Sequence, residues 1–196
     1  MLALLNQLAV VFDLPILDWI QANLTSPLFD RIWPIITVLG DAGIFWMAVA
    51  AVLLVFRKTR KTGIGMWIAL GLGLVVCNII LKPTVMRPRP YDFQLDQFGI
   101  TITLLTDRMH DFSFPSGHTI ASFEAAVVIL LNHKKGGIAA LLLAFLIAFS
   151  RLYLYVHYPT DVIFSMVLGT VFAFIGNALA GLIMKLLPQH KGKFER

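Results

Sequence analysis

Between Ser150 and Asp161 the sequence SRLYLYVHYPTD sets an arginine, a histidine and an aspartate in an otherwise apolar background. Arg151, His157 and Asp161 adjoin hydrophobic segments fit to lie in a bilayer, where ionisable side chains are costly and usually functional. Pro159 suits the first position of a helix, because its missing N–H would be unpaired there anyway. A helix starting near Tyr158 swings Asp161 back towards His157. A carboxylate on one imidazole nitrogen fixes the tautomer and leaves the other nitrogen free as nucleophile or base. The same spacing also fits a helix start with a snorkelling arginine and an interface histidine. The rest of the chain decides between them.

Two further clusters carry chemistry. One is Lys82-Pro-Thr-Val-Met-Arg-Pro-Arg89-Pro90 and the other is Pro115-Ser116-Gly117-His118. Lys82, Arg89 and Arg151 supply three cations, and guanidinium forks match tetrahedral oxyanions with two parallel hydrogen bonds. Ser116 and Gly117 stand where a helix begins, so its free N–H groups and positive dipole end form an anion site. Gly117 would let the backbone approach the anion closely. Three cations would repel a divalent metal, so no metal ligand and no cofactor is expected. They suit a phosphate. Each cluster alone has an ordinary reading: Lys82 as a helix-end lysine, PSGH as an N-cap, RPRP as a stiff loop. Their meaning depends on whether the chain brings them together.

The elements that would do so are membrane helices. Hydrophobic residues make up 58% of the 196 residues and charged ones 14%, well below the usual quarter. This is the composition of a polytopic membrane protein, and the length suits one compact bundle over 1–196. The net charge of +5 is gathered in short clusters, which fits inter-helix loops rather than a nucleic-acid face. A lone cysteine, Cys77, excludes a disulfide framework. The opening MLALLNQLAVVFD has neither a basic n-region nor a small-residue cleavage site, so no removable signal peptide is expected. No signal for an oligomeric state stands out.

Residues 2–24 mix Asn6, Gln7, Asp13 and Asp18 with leucines and aromatics. They predict a segment lying at the membrane interface within 1–26, with a poorly hydrophobic span as the alternative. Six spans follow: 28–39, 44–56, 64–81, 116–131, 138–153 and 160–187. The first two are short for a bilayer core, separated by a tight turn at Gly40-Asp41-Ala42-Gly43. The third should end at Lys82-Pro83, where proline cannot continue a helix. A polar loop over 83–114 follows, in which ITITLL at 100–105 alternates like a short strand. Small residues recur along the third span (Ala69, Gly73, Cys77) and the sixth (Gly169, Ala173, Asn177, Gly181), as in close helix packing. Arg57, Lys58, Arg60 and Lys61, then Lys134 and Lys135, then Lys191, Lys193 and Arg196 mark the cytoplasmic side. The loops 82–115 and 150–160 fall on the opposite, extracytoplasmic side. All three polar clusters therefore converge on one face.

K-x6-RP, PSGH and SR-x5-H-x3-D resemble the three signature motifs of the type 2 phosphatidic acid phosphatase (PAP2) superfamily. The match includes Lys82, Arg89, Pro90, Pro115, Ser116, Gly117, His118, Ser150, Arg151, His157 and Asp161. The resemblance implies an all-α, six-span membrane bundle and a lipid phosphatase without a metal cofactor. By that resemblance His157 attacks phosphorus, Asp161 orients it and His118 protonates the leaving oxygen. Lys82, Arg89, Arg151, Ser116 and Gly117 would neutralise the phosphate. The implied partner is a membrane lipid phosphate in a cell membrane. Undecaprenyl diphosphate stands first, because its release on the outer face demands an outward-facing site; phosphatidylglycerophosphate and phosphatidic acid follow. A lipid phosphotransferase, a vanadate-dependent haloperoxidase and a non-catalytic lipid carrier remain as other classes. Of the remaining polar residues, His110 reads as a loop residue or a contact to substrate, and Asp92, Asp96, Asp107 and Asp111 read as a solvated loop face. Arg87 reads as a solvated charge or a grip on a second phosphate. Glu124 reads as a partner within the bundle, and Asn78 as a support for Lys82.

Overall fold

A computed structural model describes residues 2–186, and all their regular structure is helical. Lys191, Lys193, Arg196 and the end of the sixth predicted span at Leu187 lie outside the described residues. Helix α1 covers Leu2–Asn23, widening to a π-helical turn at Ala9–Asp13. Helices α2 (Phe29–Val38) and α3 (Ile44–Val55) are joined by a tight turn at Asp41–Gly43. Helix α4 (Arg60–Gly73) runs on through a π-helical stretch, Leu74–Leu81, into Lys82–Val85. Helix α5 is Pro90–Phe98, α6 is Gly117–Asn132, α7 is Lys134–Tyr153 and α8 is Pro159–Leu186.

Among the described residues there are six apolar stretches, five of them long enough to cross a membrane and the sixth, Gly117–Asn132, shorter. Their distribution differs from the expectation in one respect. The two short spans, 28–39 and 44–56, are halves of a single run, Phe29–Val55, bent at the Asp41 turn. Its first half packs beside the end of α7, where Tyr153 Oη donates to Asp30 at 2.6 Å. Its second half reaches the opposite end, where a Cβ on Gly63 would stand 2.9 Å from the Leu54 nitrogen. The two halves together cross the bundle once. That explains why neither was long enough alone.

The remaining apolar stretch is α1. Leu5, Asp13, Asp18 and Gln21 bond respectively to Arg87, Thr160, Tyr155 and Tyr153. Those partners all lie at the end of the bundle where α4 stops and α8 begins, so α1 runs across that end. At the opposite end Lys61 approaches Gly181 and Asn132 donates to Asn177 at 2.8 Å. The basic loop 57–61 and the turn before Lys134 therefore share one end, and the three polar clusters share the other.

Two features of the 83–114 segment depart from expectation. The helix does not stop at Pro83: the preceding ladder widens, and the Lys82 N–H reaches back five residues to the Cys77 carbonyl. The wider turn accommodates the proline, and the chain leaves helical geometry only at Met86, whose φ is 50°. Residues 100–105 alternate in burial, with Ile102 and Leu104 packed on the core, but among the described residues there is no strand to pair with them. Within the same segment, Pro90 opens the nine-residue helix α5, in the position where proline is most welcome.

Helices α4, α6 and α8 pack through small residues. Gly176 lies so close to α4 that a Cβ there would stand 2.5 Å from the Gly65 carbonyl and 3.0 Å from the Ala69 nitrogen. Both are backbone atoms and cannot swing aside. Replacing Gly176 by leucine should cost about 1–3 kcal/mol of overpacking, read as a lower thermal unfolding midpoint in detergent. Gly71, with open space beside it, should accept alanine without loss.

Candidate active site

The connection between α7 and α8 positions His157. Arg151 ends α7 and its carbonyl accepts from both Val156 N–H and His157 N–H, at 3.2 and 3.3 Å. Tyr155 takes a left-handed conformation with φ of 58°, unusual for a side chain of its size. It is held there by Asp18 and Gln94, which its hydroxyl meets at 2.6 and 2.9 Å. The result is a tight reversal that turns the His157 ring inward. Burial, then the nearby Arg89, Arg151 and Lys82 charges, hold its pKa well below the usual histidine value, so the ring is neutral at pH 7.

Asp161 lies in the first turn of α8, as the sequence requires, with Oδ2 3.5 Å from His157 Nδ1. Its carboxylate accepts from Ser113 Oγ and from Tyr158 N–H at 3.1 Å on Oδ2, and from Arg87 at 2.5 Å on Oδ1. Arg87 is fully buried, which corrects both readings of it made from sequence. Its second nitrogen reaches Asp13 at 2.7 Å and the Leu5 carbonyl at 3.0 Å, and its guanidinium stacks 3.6 Å from the Tyr158 ring centre. Asp13 in turn accepts from Thr160 N–H and Oγ1.

The cations converge from three elements. Lys82 from α4 and Arg89 from the start of α5 both bond the Asp111 carboxylate. Arg89 also donates to the Asp111 and Val156 carbonyls, and its Nη1 lies 3.4 Å from His157 Nε2. Arg151 is anchored by Thr37 Oγ1 at 2.5 Å and faces Met109. Asp111 is therefore not part of a merely solvated face. Partial burial would raise its pKa, but the two cations override this and hold it well below the usual carboxylate range. One carboxylate bridging Lys82 and Arg89 marks the spot where both point at a single oxyanion. His110, Asp96 and Asp107 are exposed, as expected. Asp92 pairs with Arg108 at the surface.

On the facing wall, His118 sits in the first turn of α6 with Nε2 2.6 Å from Asp41 Oδ1. Six of the eight residues singled out from sequence (Lys82, Arg89, Gly117, His118, Arg151 and His157) line one cavity of about 340 Å³. Asp161 stands behind His157. Ser116 departs from expectation: its amide donates to Ser165 Oγ at 2.8 Å and its hydroxyl accepts from Thr119, so it braces α6 against α8. Of the PSGH residues, Gly117 and His118 face the cavity. Glu124 lines the same cavity two turns deeper, against Gly73, with Oε1 lacking a hydrogen-bond partner. Asn78 also lines it, beside Gly117 rather than bonded to Lys82.

The PAP2 superfamily model matches residues 62–184, more than half of the chain. The chain belongs to the PAP2 superfamily. It is 34% identical over 131 residues to an undecaprenyl-diphosphatase of Sulfolobus acidocaldarius, a match covering 66% of this chain and 61% of that relative. Among solved structures it resembles LpxE of Aquifex aeolicus, with a TM-score of 0.65 and 26% identity over 85% of this chain and 94% of that one. A PAP2-type phosphatidylglycerolphosphate phosphatase of Bacillus subtilis gives a TM-score of 0.62 and 25% identity, over 85% of this chain and 82% of that one.

Four residues of this PAP2 protein reach the site without having been chosen from sequence: Asp13, Asp41, Asp111 and Ser113. Only Asp41 had a usable signal, an acidic residue in a glycine-flanked turn on the same side as the motifs. Arg87, which joins Asp13 to Asp161, should be more sensitive than any of them. Arg87→Met leaves Asp13 and Asp161 buried without their shared cation, which should cost about 3–5 kcal/mol. Thermal unfolding in detergent measures this. Arg87→Lys should recover part of it, since an ammonium supplies the charge but not the fork.

Proposed function

We propose that the chain is a membrane lipid phosphatase that hydrolyses a lipid diphosphate, undecaprenyl diphosphate first among them, through a phosphohistidine. The observation that carries the reading is the composition of the one cavity. At its outer end stand three cations and two histidines; its inner wall is mainly apolar, formed by Met47, Trp67, Leu70, Leu74 and Ile120, with Asn78 and Glu124 as its polar members. That gradient fits an amphiphile with a phosphate head and a hydrocarbon tail. The named relative from Sulfolobus favours a polyprenyl diphosphate. The Bacillus structure makes phosphatidylglycerophosphate the second reading. The site lies at the end opposite Arg57–Lys61 and Lys134–Lys135, which by the positive-inside rule supports an extracytoplasmic face.

In this reading His157 Nε2 attacks phosphorus while Nδ1–H stays on the ring, directed at the Asp161 carboxylate, which steadies the charge that develops on the imidazole. The bond from phosphorus to the leaving oxygen breaks, its electron pair stays on that oxygen, and His118 supplies the proton. His118, now neutral, takes a proton from water as the water attacks the phosphohistidine. The P–N bond breaks back onto His157 and inorganic phosphate leaves. Lys82, Arg89 and Arg151, with the first turn of α6 at Gly117, hold the charge spread over the three equatorial oxygens. Substrate phosphate takes the place of the Asp111 carboxylate on Lys82 and Arg89. The cations perform the neutralisation that divalent ions perform in kinases, so the reaction is proposed to need no metal.

Phosphate release from undecaprenyl diphosphate, phosphatidylglycerophosphate and phosphatidic acid in detergent, with EDTA throughout, tests this. Release should be fastest from undecaprenyl diphosphate and fall about a thousandfold or more in His157→Ala. Activity that vanishes with EDTA and returns with Mg²⁺ would disprove the metal-free mechanism. Transfer of label to a second lipid without free phosphate would make the protein a phosphotransferase.

A further inference from the structure

We propose that Asp41 is the positioning residue of the general acid: it holds His118 so that the proton is delivered to the leaving oxygen. The proposal rests on the phosphatase reading above and adds to it a residue outside the three motifs. Two imidazole–carboxylate pairs face one cavity. His157 is served by Asp161 from the next helix, and His118 is served by Asp41 from the bend between α2 and α3, with Nε2 and Oδ1 2.6 Å apart.

The bend is shaped around this contact. Ala42, which follows Asp41, has φ of 47°, and Gly43 has φ of 68°, so two successive residues are left-handed. For alanine such a conformation costs about 1 kcal/mol, a strain that persists only where the surroundings impose it. On the other side, Gly40 presses on the ring: a Cβ there would stand 2.7 Å from His118 Cδ2 and 2.8 Å from Ile147. One turn earlier Thr37 anchors Arg151. The bent helix thus serves both the acid and a phosphate-binding cation. Asp41 is half exposed at the cavity mouth, unlike the sealed Asp161.

The chemistry of the contact is specific. With Nε2–H donated to Asp41, a protonated His118 has Nδ1–H as its remaining donor. The carboxylate favours the protonated ring before reaction and fixes the direction in which that donor points. This matters in proportion to how poorly the leaving group departs. The alkoxide that leaves phosphatidic acid needs the proton; a nitrophenolate, or the alkyl phosphate that leaves a diphosphate, needs it far less.

The experiment compares kcat and KM of wild type, Asp41→Asn, Asp41→Ala and Asp41→Glu on phosphatidic acid and on p-nitrophenyl phosphate, in the same detergent. The asparagine and alanine variants should lose about tenfold to a hundredfold in kcat on phosphatidic acid, within the range of general acid catalysis. On p-nitrophenyl phosphate they should stay within about threefold of wild type, since little of that term applies there. Asp41→Glu should regain most of the loss, and KM should change little. The isosteric asparagine, at a half-exposed position, keeps the test independent of folding. Equal losses on both substrates, or no loss on either, would overturn the role of Asp41 while leaving the phosphatase reading intact. A wild-type protein that hydrolyses neither substrate, nor any lipid of the panel above, would overturn that reading itself.

Discussion

The site depends on one buried cation. Arg87 lies between Asp13 of the first helix and Asp161 of the last, with both carboxylates sealed from solvent. A lone carboxylate at that depth would be costly to keep ionised, and a lone guanidinium equally so. Shared between them, one cation holds both carboxylates, while Thr160 donates to Asp13 and Ser113 and the Tyr158 amide donate to Asp161. Asp161 is thereby fixed before it meets His157, and the tight reversal at Tyr155 can present the ring at a set angle. Removing Arg87 leaves two buried carboxylates without a cation, one of them beside the histidine.

The rest of the bundle reads as a means of bringing positive groups to one end. Three cations within reach of one another repel, and backbone carbonyls do part of the work of restraining them. Arg89 spends a donor on Val156 and another on the Asp111 carbonyl, and Arg151 is tied to Thr37. The helices beneath approach closely through Gly65, Gly73, Gly169 and Gly176. Among the described residues an opening remains between α3, α4 and α6, where Met47, Leu74 and Ala121 form the wall. Close packing and open groove have a common origin in small residues on α4: Gly73 accommodates Glu124, while Gly71 has nothing opposite it.

Much of this was readable from the chain because the informative residues lie in short local patterns. Pro159 placed the start of α8 and therefore Asp161; the basic clusters sorted the loops onto two ends; the three motifs named six residues of one cavity. What escaped were contacts between residues far apart in sequence, on which local pattern is silent. Arg87 looks like a loop charge until Asp13 and Asp161 close over it. Asp111 looks solvated until Lys82 and Arg89 reach it. The turn at Gly40–Gly43 was correctly read as a turn, but not as the bend of a single crossing helix, because bend and loop share the same glycines. Pro83 was expected to stop a helix, and the ladder instead widened to pass it. The alternation at 100–105 was a true burial pattern without a partner strand, which periodicity alone cannot distinguish from a strand.

The path of α1 has a consequence for the order in which the protein comes into being. Asp13 meets Thr160, and Asp18 meets Tyr155, across 147 and 137 positions of sequence. The first helix made must therefore wait for the last before its acidic residues find their partners. A nascent chain holding the first two motifs, still lacking α8, has neither His157 in place nor the charges that steady it. The site as described needs both the final helix and the first one lying across the end. On the proposed function, a partly synthesised protein lodged in the bilayer lacks the assembled site.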